Sequence, residues 1–291
     1  MENRKKFSKW IFLIPIILFF SLFFLNNKSK ETIKTEINVT PKMEASASAS
    51  ASPSAVSLLP IPSEAPRIIS STGIPILTYH YITNNPNPED VARNSLEVPP
   101  DKFEEQMIYL STNGYSPITL DTLYAILSGQ VAKPSKPIVL TFDDGYIDFY
   151  TNAFPVLRRF NFHSVSFVPT GLIGTGYYMN WDQIKEIQAT GLVTFEDHSV
   201  THPNLVGLSY DDILKQMVES KNILQAQTRY PVNFIAYPYG ASNGFVQQAA
   251  REAGFVGGVG TYFGKVGEIS LNMPRIKVSG FWNINEFASR L

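Results

Sequence analysis

Thr141-Phe142-Asp143-Asp144-Gly145 sets two adjacent carboxylates and a glycine directly after the apolar run Ile138-Val139-Leu140. A buried strand ends this way when it delivers acids to the mouth of an α/β fold. Neighbouring carboxylates repel one another, so one of them needs a cation or a shared proton close by. The chain has only four histidines, and two of them fall four apart in His198-Ser199-Val200-Thr201-His202, again after an apolar run. Two imidazoles and one carboxylate make a three-ligand set with a position left for water, the catalytic arrangement for zinc. Neither signal is diagnostic alone. Surface and capping histidines share the His-x-x-x-His spacing, Ser199 stands where a metalloprotease motif needs Glu, and paired acids also cap helices. Two further stretches end apolar runs with polar or aromatic groups: Tyr237-Pro238-Tyr239-Gly240, a tight turn in isolation, and Leu77-Thr78-Tyr79-His80-Tyr81.

These residues need strands to hold them, and the spacing supplies candidates at 74–79, 138–142, 164–168, 192–196, 234–236, 257–259 and 275–278. Helical stretches fall between them. At 101–113, Phe103, Met107 and Leu110 share one face ahead of Gly114. Pro155 kinks a helix at 148–160 or marks its first turn. Asn180 caps a helix at 181–189, and Ser209 with Asp212 forms a capping box for one at 210–227. Helices at 244–253 and 284–291 complete the set. The alternation reads as α/β with a parallel sheet, and about seven strands suit a barrel better than an open doubly wound sheet. No Gly-x-Gly-x-x-Gly or P-loop follows any strand, which argues against a nucleotide cofactor.

Composition narrows the function classes. Hydrophobic residues make up 44% of the 291 and charged residues 17%, enough apolar material for a sizeable core. The net charge of −1 hides an asymmetry: Arg4, Lys5, Lys6, Lys9, Lys28 and Lys30 oppose Glu2 alone in the first 30 residues, so the remainder is acidic and nucleic-acid binding is not expected. Cysteine is absent, which excludes disulfides, thiolate ligands, a Cys nucleophile and a lipidated cysteine anchor. Trp10 to Leu25 is apolar except for Ser21 and follows the basic stretch. It is shorter than the about 20 residues a membrane span usually needs, but flanking lysines can snorkel. Leu25-Asn26-Asn27-Lys28 is a poor cleavage site, so an uncleaved signal-anchor over 1–25 is favoured over a cleaved signal peptide. Its basic end faces the cytoplasm and the bulk of the chain lies outside the membrane. Residues 26–66, with the Ala-Ser run at 45–52 and Pro53, Pro60, Pro62 and Pro66, form a disordered tether ahead of a folded domain at 67–291.

The four chemical stretches, in this order, resemble the polysaccharide deacetylases of carbohydrate esterase family 4, which share the NodB homology domain. Thr141–Gly145 matches the first family motif, His198 to His202 with Pro203-Asn204-Leu205 the second, and Tyr237–Gly240 the third. The opening Leu77–Tyr81 is similar to the subgroup containing the poly-N-acetylglucosamine deacetylases. The resemblance implies a distorted (β/α)7-type barrel and an enzyme that releases acetate from an N-acetylated polysaccharide, which the expected signal-anchor and tether would place at the outside of a bacterial membrane. It implies Asp143 as general base, Asp144, His198 and His202 as ligands of a divalent metal, Zn2+ by default with Co2+, Ni2+ or Mn2+ as alternatives, and the Tyr239 N–H as an oxyanion donor beside Pro238. Two departures stand out. Ala236 occupies a position where many members carry Arg, and the C-terminal Leu-x-His motif that supplies the general acid is absent. His80 is the candidate acid in its place, the other reading being a buried histidine that only hydrogen-bonds near the metal. Arg275 either orients Asp143 or forms a structural ion pair; Trp181 either packs or lines the substrate groove with Asp182. His163, after Arg158 and Arg159 at a helix end, is expected in solvent.

Three rival functions meet the same residues differently. A glycosidase needs its carboxylates roughly 5–10 Å apart across a bond, which adjacent residues on one strand end do not provide. A glycan-binding module explains the tether and the aromatics but leaves the acids idle. An O-acetyl esterase on xylan or another glycan uses the same machinery, and the sequence does not separate it from an N-deacetylase.

Overall fold

A computed structural model of the protein describes residues 73–291. The expected signal-anchor, the tether and the start of the domain at 67–72 lie outside the described residues. Among the described residues, no helix is long and apolar enough to cross a membrane.

The first strand, β1 (Ile76–Tyr79), is buried throughout. A short helix α1 (Val91–Asn94) follows, then α2 (Pro100–Thr112), which buries Phe103, Met107 and Leu110 as its periodicity requires. The two-residue β2 (Ser116–Pro117) and α3 (Leu120–Leu127), capped by the Thr119 side chain, lead to β3 (Pro137–Phe142), the fully buried strand that ends at the paired acids. After it the chain makes a π-helical turn at Phe149–Ala153 and continues as α4 (Phe154–Phe160), with Pro155 in the first turn. Because the π-turn runs directly into α4, the missing N–H of Pro155 falls within a continuous helical stretch and interrupts its hydrogen-bond ladder. Next come β4 (Ser164–Val168), α5 (Trp181–Gln188) behind an Asn180–Gln183 capping box, β5 (Val193–Asp197), and α6 (Tyr210–Thr228) capped by Ser209. The chain closes with β6 (Phe234–Ala236), α7 (Gly244–Glu252), β7 (Gly257–Val259), β8 (Ile276–Lys277) and α8 (Ile284–Ala288).

The strands run in the order β7-β6-β5-β4-β3-β1-β8, with β2 beside β3. Every pairing is parallel, with Ile76 opposite Val139 and Tyr79 opposite Phe142, so all strands end at the same edge. The sheet curls into a half-barrel, consistent with the expected distorted barrel. A parallel bridge from Val259 to Met273 links β7 to the segment entering β8.

Because side chains alternate along a strand, each strand feeds two cores. Leu77, Tyr79, Leu140, Phe142, Phe195 and Ile235 pack outward under the helices. Ile76, Val139, Val165, Phe167, Phe234, Ala236 and Val259 fill the inside of the curl. Counting on in steps of two from Val139 and Ile76 carries Asp143 and His80 to the inner face.

The structure differs from the sequence expectations in several places. β1 starts at Ile76, because Ile74 turns aside to an antiparallel bridge with Val266. The expected helix at 148–160 is split by the π-turn. α1, α3 and β2 were not expected: α1 and β2 are too short to carry a period, and α3 is flanked by Pro117 and the Gly129 turn. His163 is half-buried rather than in solvent, and its Nδ1 is enclosed without a partner, because the chain enters β4 one residue later.

Gly145 lies at φ 70°, and a Cβ there would meet Val168 Cγ1 at 2.9 Å. Gly145→Ala is therefore expected to lower stability by about 1–3 kcal/mol. Urea denaturation of the full chain measures this, and an unchanged midpoint would contradict the strain.

Candidate active site

Asp143 and Asp144 are both almost enclosed, 3% and 8% exposed. The backbone separates them. Asp143 continues the strand, its N–H donating to Tyr79 O at 2.9 Å. Asp144 turns into the left-handed region at φ 70°, so its side chain departs in a different direction.

Asp143 meets Arg275, which precedes β8 and is 1% exposed. The guanidinium holds the carboxylate at two points, Nη1 to Oδ1 at 2.8 Å and Nη2 to Oδ2 at 2.7 Å. The remaining donors are also placed: Nε donates to Gly260 O at 2.8 Å and Nη1 to Thr141 Oγ1 at 3.2 Å. Burial pushes the Asp143 pKa up, but the charge and hydrogen bonds of Arg275 outweigh it and hold the carboxyl below its usual range. The charge that the third motif lacks at Ala236 reaches Asp143 from elsewhere in the chain. Arg275 both pairs with Asp143 and orients it, so the two readings of that residue describe one contact.

Asp144 meets the histidines. Its Oδ1 lies 3.2 Å from His198 Nε2 and 3.2 Å from His202 Nε2. Burial raises the Asp144 pKa, and the two imidazoles more than reverse this, setting it well below the ordinary value. His198 follows directly on β5 and is 2% exposed. Its Nδ1 lies 2.7 Å from the carbonyl of Ala236, so an N–H there donates to that oxygen and turns the Nε2 lone pair toward Asp144. His202 is placed by a turn in which Ser199 and His202 both have positive φ, 65° and 56°, closed by the His202 N–H donating to Ser199 Oγ at 3.1 Å. The Tyr239 ring packs edge-on against the His202 ring at 4.8 Å.

The donor set fits a divalent cation. The three ligand atoms lie within 4.8 Å of one another. The 3.2 Å oxygen–nitrogen separations are near the roughly 3.4 Å edge of a tetrahedron with bonds of about 2.1 Å.

The remaining predicted residues take distinct places. His80, at the end of β1, sets Nε2 3.9 Å from Asp143 Oδ2. Burial lowers its pKa below the usual histidine value, overcoming the pull of Asp143 and Asp144. Pro238 is buried, whereas the Tyr239 ring is 69% exposed and its backbone sits at φ 60°. Trp181 opens α5 and packs, partly buried, against the outer core. The structure adds aromatic neighbours that sequence reasoning did not single out. Tyr81 and Tyr146 stack at 4.2 Å, and Tyr146 and Tyr178 at 5.2 Å. The Asp144 charge acts on all three. Tyr146 directly follows the acid motif and Tyr81 follows His80, which is the signal that was there to be read.

A parallel half-barrel with an Asp-His-His ligand set and an arginine-held carboxylate is the make-up of a metal-dependent hydrolase. The comparisons with known proteins narrow the class. The polysaccharide deacetylase family profile matches residues 130–258. The chain is similar in structure to the Streptococcus pyogenes deacetylase PplD in complex with acetate, at 32% identity and a TM-score of 0.70 over 75% of this chain and 97% of that one. It is 34% identical over 189 residues to YxkH of Bacillus subtilis, named for the same family, covering 65% of this chain and 64% of the relative. It is 24% identical over 251 residues to the poly-β-1,6-N-acetyl-D-glucosamine N-deacetylase of Escherichia coli K12, covering 70% of this chain but only 37% of that protein. The chain belongs to the polysaccharide deacetylase family.

Two results are expected from variants here. Arg275→Met leaves Asp143 buried and unpaired, and should cost about 3–5 kcal/mol by urea denaturation, whereas adding Asp143→Leu should recover part of it. In zinc titration calorimetry, His198→Ala and His202→Ala should each abolish tight binding while Asp143→Asn keeps it; the reverse pattern would overturn the ligand assignment.

Proposed function

We propose that the protein hydrolyses acetyl groups from N-acetylated sugars of an envelope or extracellular polysaccharide, poly-N-acetylglucosamine first among them, with peptidoglycan and chitin-like chains next. One observation carries the reading: the two adjacent acids have different partners, Asp143 on Arg275 and Asp144 on His198 and His202. Family membership supports the reaction type. The E. coli relative's name supports poly-N-acetylglucosamine as the first substrate. The chain spans only 64% and 37% of the two curated relatives, so the substrate is our inference.

Asp144, His198 and His202 would hold the cation, and a His₂Asp set favours Zn2+ over Co2+, Ni2+ or Mn2+. When bound, it supplies Lewis acidity and a water of lowered pKa. Asp143, kept ionised by Arg275 and unable to swing away from it, takes the proton of the attacking water. The Tyr239 N–H, in its left-handed turn, donates to the oxygen that gains charge as the carbonyl carbon becomes tetrahedral. His80 gives a proton to the sugar nitrogen as the acetyl C–N bond breaks. Pro238 shapes the wall that carries Tyr239, and Trp181 supports the loop entering α5 as packing, with the groove contact as its second role. The apolar stretch at 10–25, its basic flank and the tether at 26–66 support a membrane-held, extracytoplasmic position from which the domain reaches a fixed polymer.

The test is acetate release by the full-length chain from N-acetylglucosamine oligomers, before and after a chelator and again with zinc restored. Release that stops with the chelator and returns with zinc is expected. Release only from acetylated xylan would replace the amide substrate by an ester, and bound zinc with no acetate from either would leave a binding domain.

A further inference from the structure

His80 directly follows β1, Tyr81 beyond it forms a parallel bridge with Glu97, and the hydrogen bonds along this stretch are unevenly supplied. On one side Tyr81 is held by backbone, its N–H donating to Leu96 O at 3.3 Å and its O accepting from Val98 N–H at 2.9 Å. On the other side Ile82, fully buried, is held by two side chains. Its N–H donates to Asp148 Oδ2 at 3.0 Å, and its O accepts from Asn152 Nδ2 at 2.7 Å. Asp148 immediately precedes the π-helical turn that follows the acid motif, and Asn152 lies within it.

That arrangement is costly. Asp148 is 5% exposed, its Oδ1 is enclosed with no partner, and burial pushes its pKa up to about 6. The π-turn is itself a poorer helix than the α-helix it interrupts, and such turns collect at functional sites. An apolar side chain at 148 would pack without the desolvation penalty. What the carboxylate and the amide achieve together is to engage both backbone groups of one residue, two positions beyond His80. They do so from the same segment that carries Asp143 and Asp144.

We infer that Asp148 and Asn152 are positioning residues for His80: by engaging the N–H and the C=O of Ile82 from the start of the π-turn, they set the histidine against Asp143. The base, one metal ligand and the clamp on the acid then all lie within residues 143–152, so a shift of that segment moves donor and acceptor of the proton together. The inference rests on the proposed role of His80. In that step water oxygen bonds to the acetyl carbon, the C–N electron pair passes to nitrogen, and His80 supplies nitrogen's proton. Acetate and the amino sugar leave.

The test uses leaving groups. An amine must be protonated to depart, whereas 4-nitrophenolate leaves without a proton, so loss of a positioned acid harms the amide reaction selectively. With the zinc-loaded full-length protein, Asp148→Ala and Asn152→Ala should each lower kcat on N-acetylglucosamine oligomers by about 10- to 100-fold with little change in KM. Zinc content and turnover of 4-nitrophenyl acetate should stay within about twofold, which also shows that the variants fold. Asp148→Asn, whose amide oxygen still accepts from Ile82, should restore most of the amide rate. His80→Gln, run alongside, should show the same split between substrates. Equal loss on both substrates in Asp148→Ala would mean a purely structural role and overturn the clamp. A split in His80→Gln without one in Asp148→Ala would overturn the clamp while sparing His80. Equal loss on both substrates in His80→Gln would overturn the acid role and the clamp with it.

Discussion

Two carboxylates that are neighbours in the chain, both nearly cut off from solvent, set the terms for everything around them. Left alone, one of the pair would take up a proton, because like charges at such a spacing cannot both be sustained in a poorly solvated site. The structure holds both carboxyl pKa values below the ordinary range by giving each its own partners. Arg275 takes Asp143 with two hydrogen bonds, and two imidazoles take Asp144. The backbone makes the division possible: Asp144 steps into left-handed φ, so the two side chains diverge although their Cα atoms are adjacent. Asp143 is thereby held on the arginine and Asp144 between the two histidines.

The fold follows from what that division requires. A parallel sheet ends all its strands at one edge, so β1, β3, β5 and β6 bring His80, the acids, His198 and the Tyr239 turn together from distant parts of the chain. The two-residue alternation places Asp143 and His80 on the inner face. Four of the site's non-glycine residues, Asp144, Ser199, His202 and Tyr239, adopt positive φ. Each is a local cost of order 1–3 kcal/mol that only a firmly packed surround sustains. The double core, one layer under the helices and one within the curl, is that surround.

Much of this was readable from the sequence because its signals are local. Strands β4, β6 and β7 run over the spans their apolar residues indicated, and the acid pair, the two histidines and the Tyr-Pro-Tyr-Gly turn declare themselves within a few residues. What the sequence concealed depends on distance in the chain. Arg275 and Asp143 are 132 residues apart, so no spacing rule joins them; only the likeness of the last strand to the family raised their contact, with its purpose left open. The clamp on Ile82 joins positions 66 and 70 apart, and the π-turn that carries it has no pattern to distinguish it from the expected helix. His163 looked like a solvent group because two arginines precede it, but the start of β4 draws it inward.

The account stands on the different fates of the two acids, and diffraction at the zinc absorption edge from crystals of the zinc-loaded protein tests this most directly. The account predicts one anomalous peak bound by Asp144, His198 and His202, with Asp143 still on Arg275. A peak that takes Asp143 as a ligand, with Arg275 released, would contradict it.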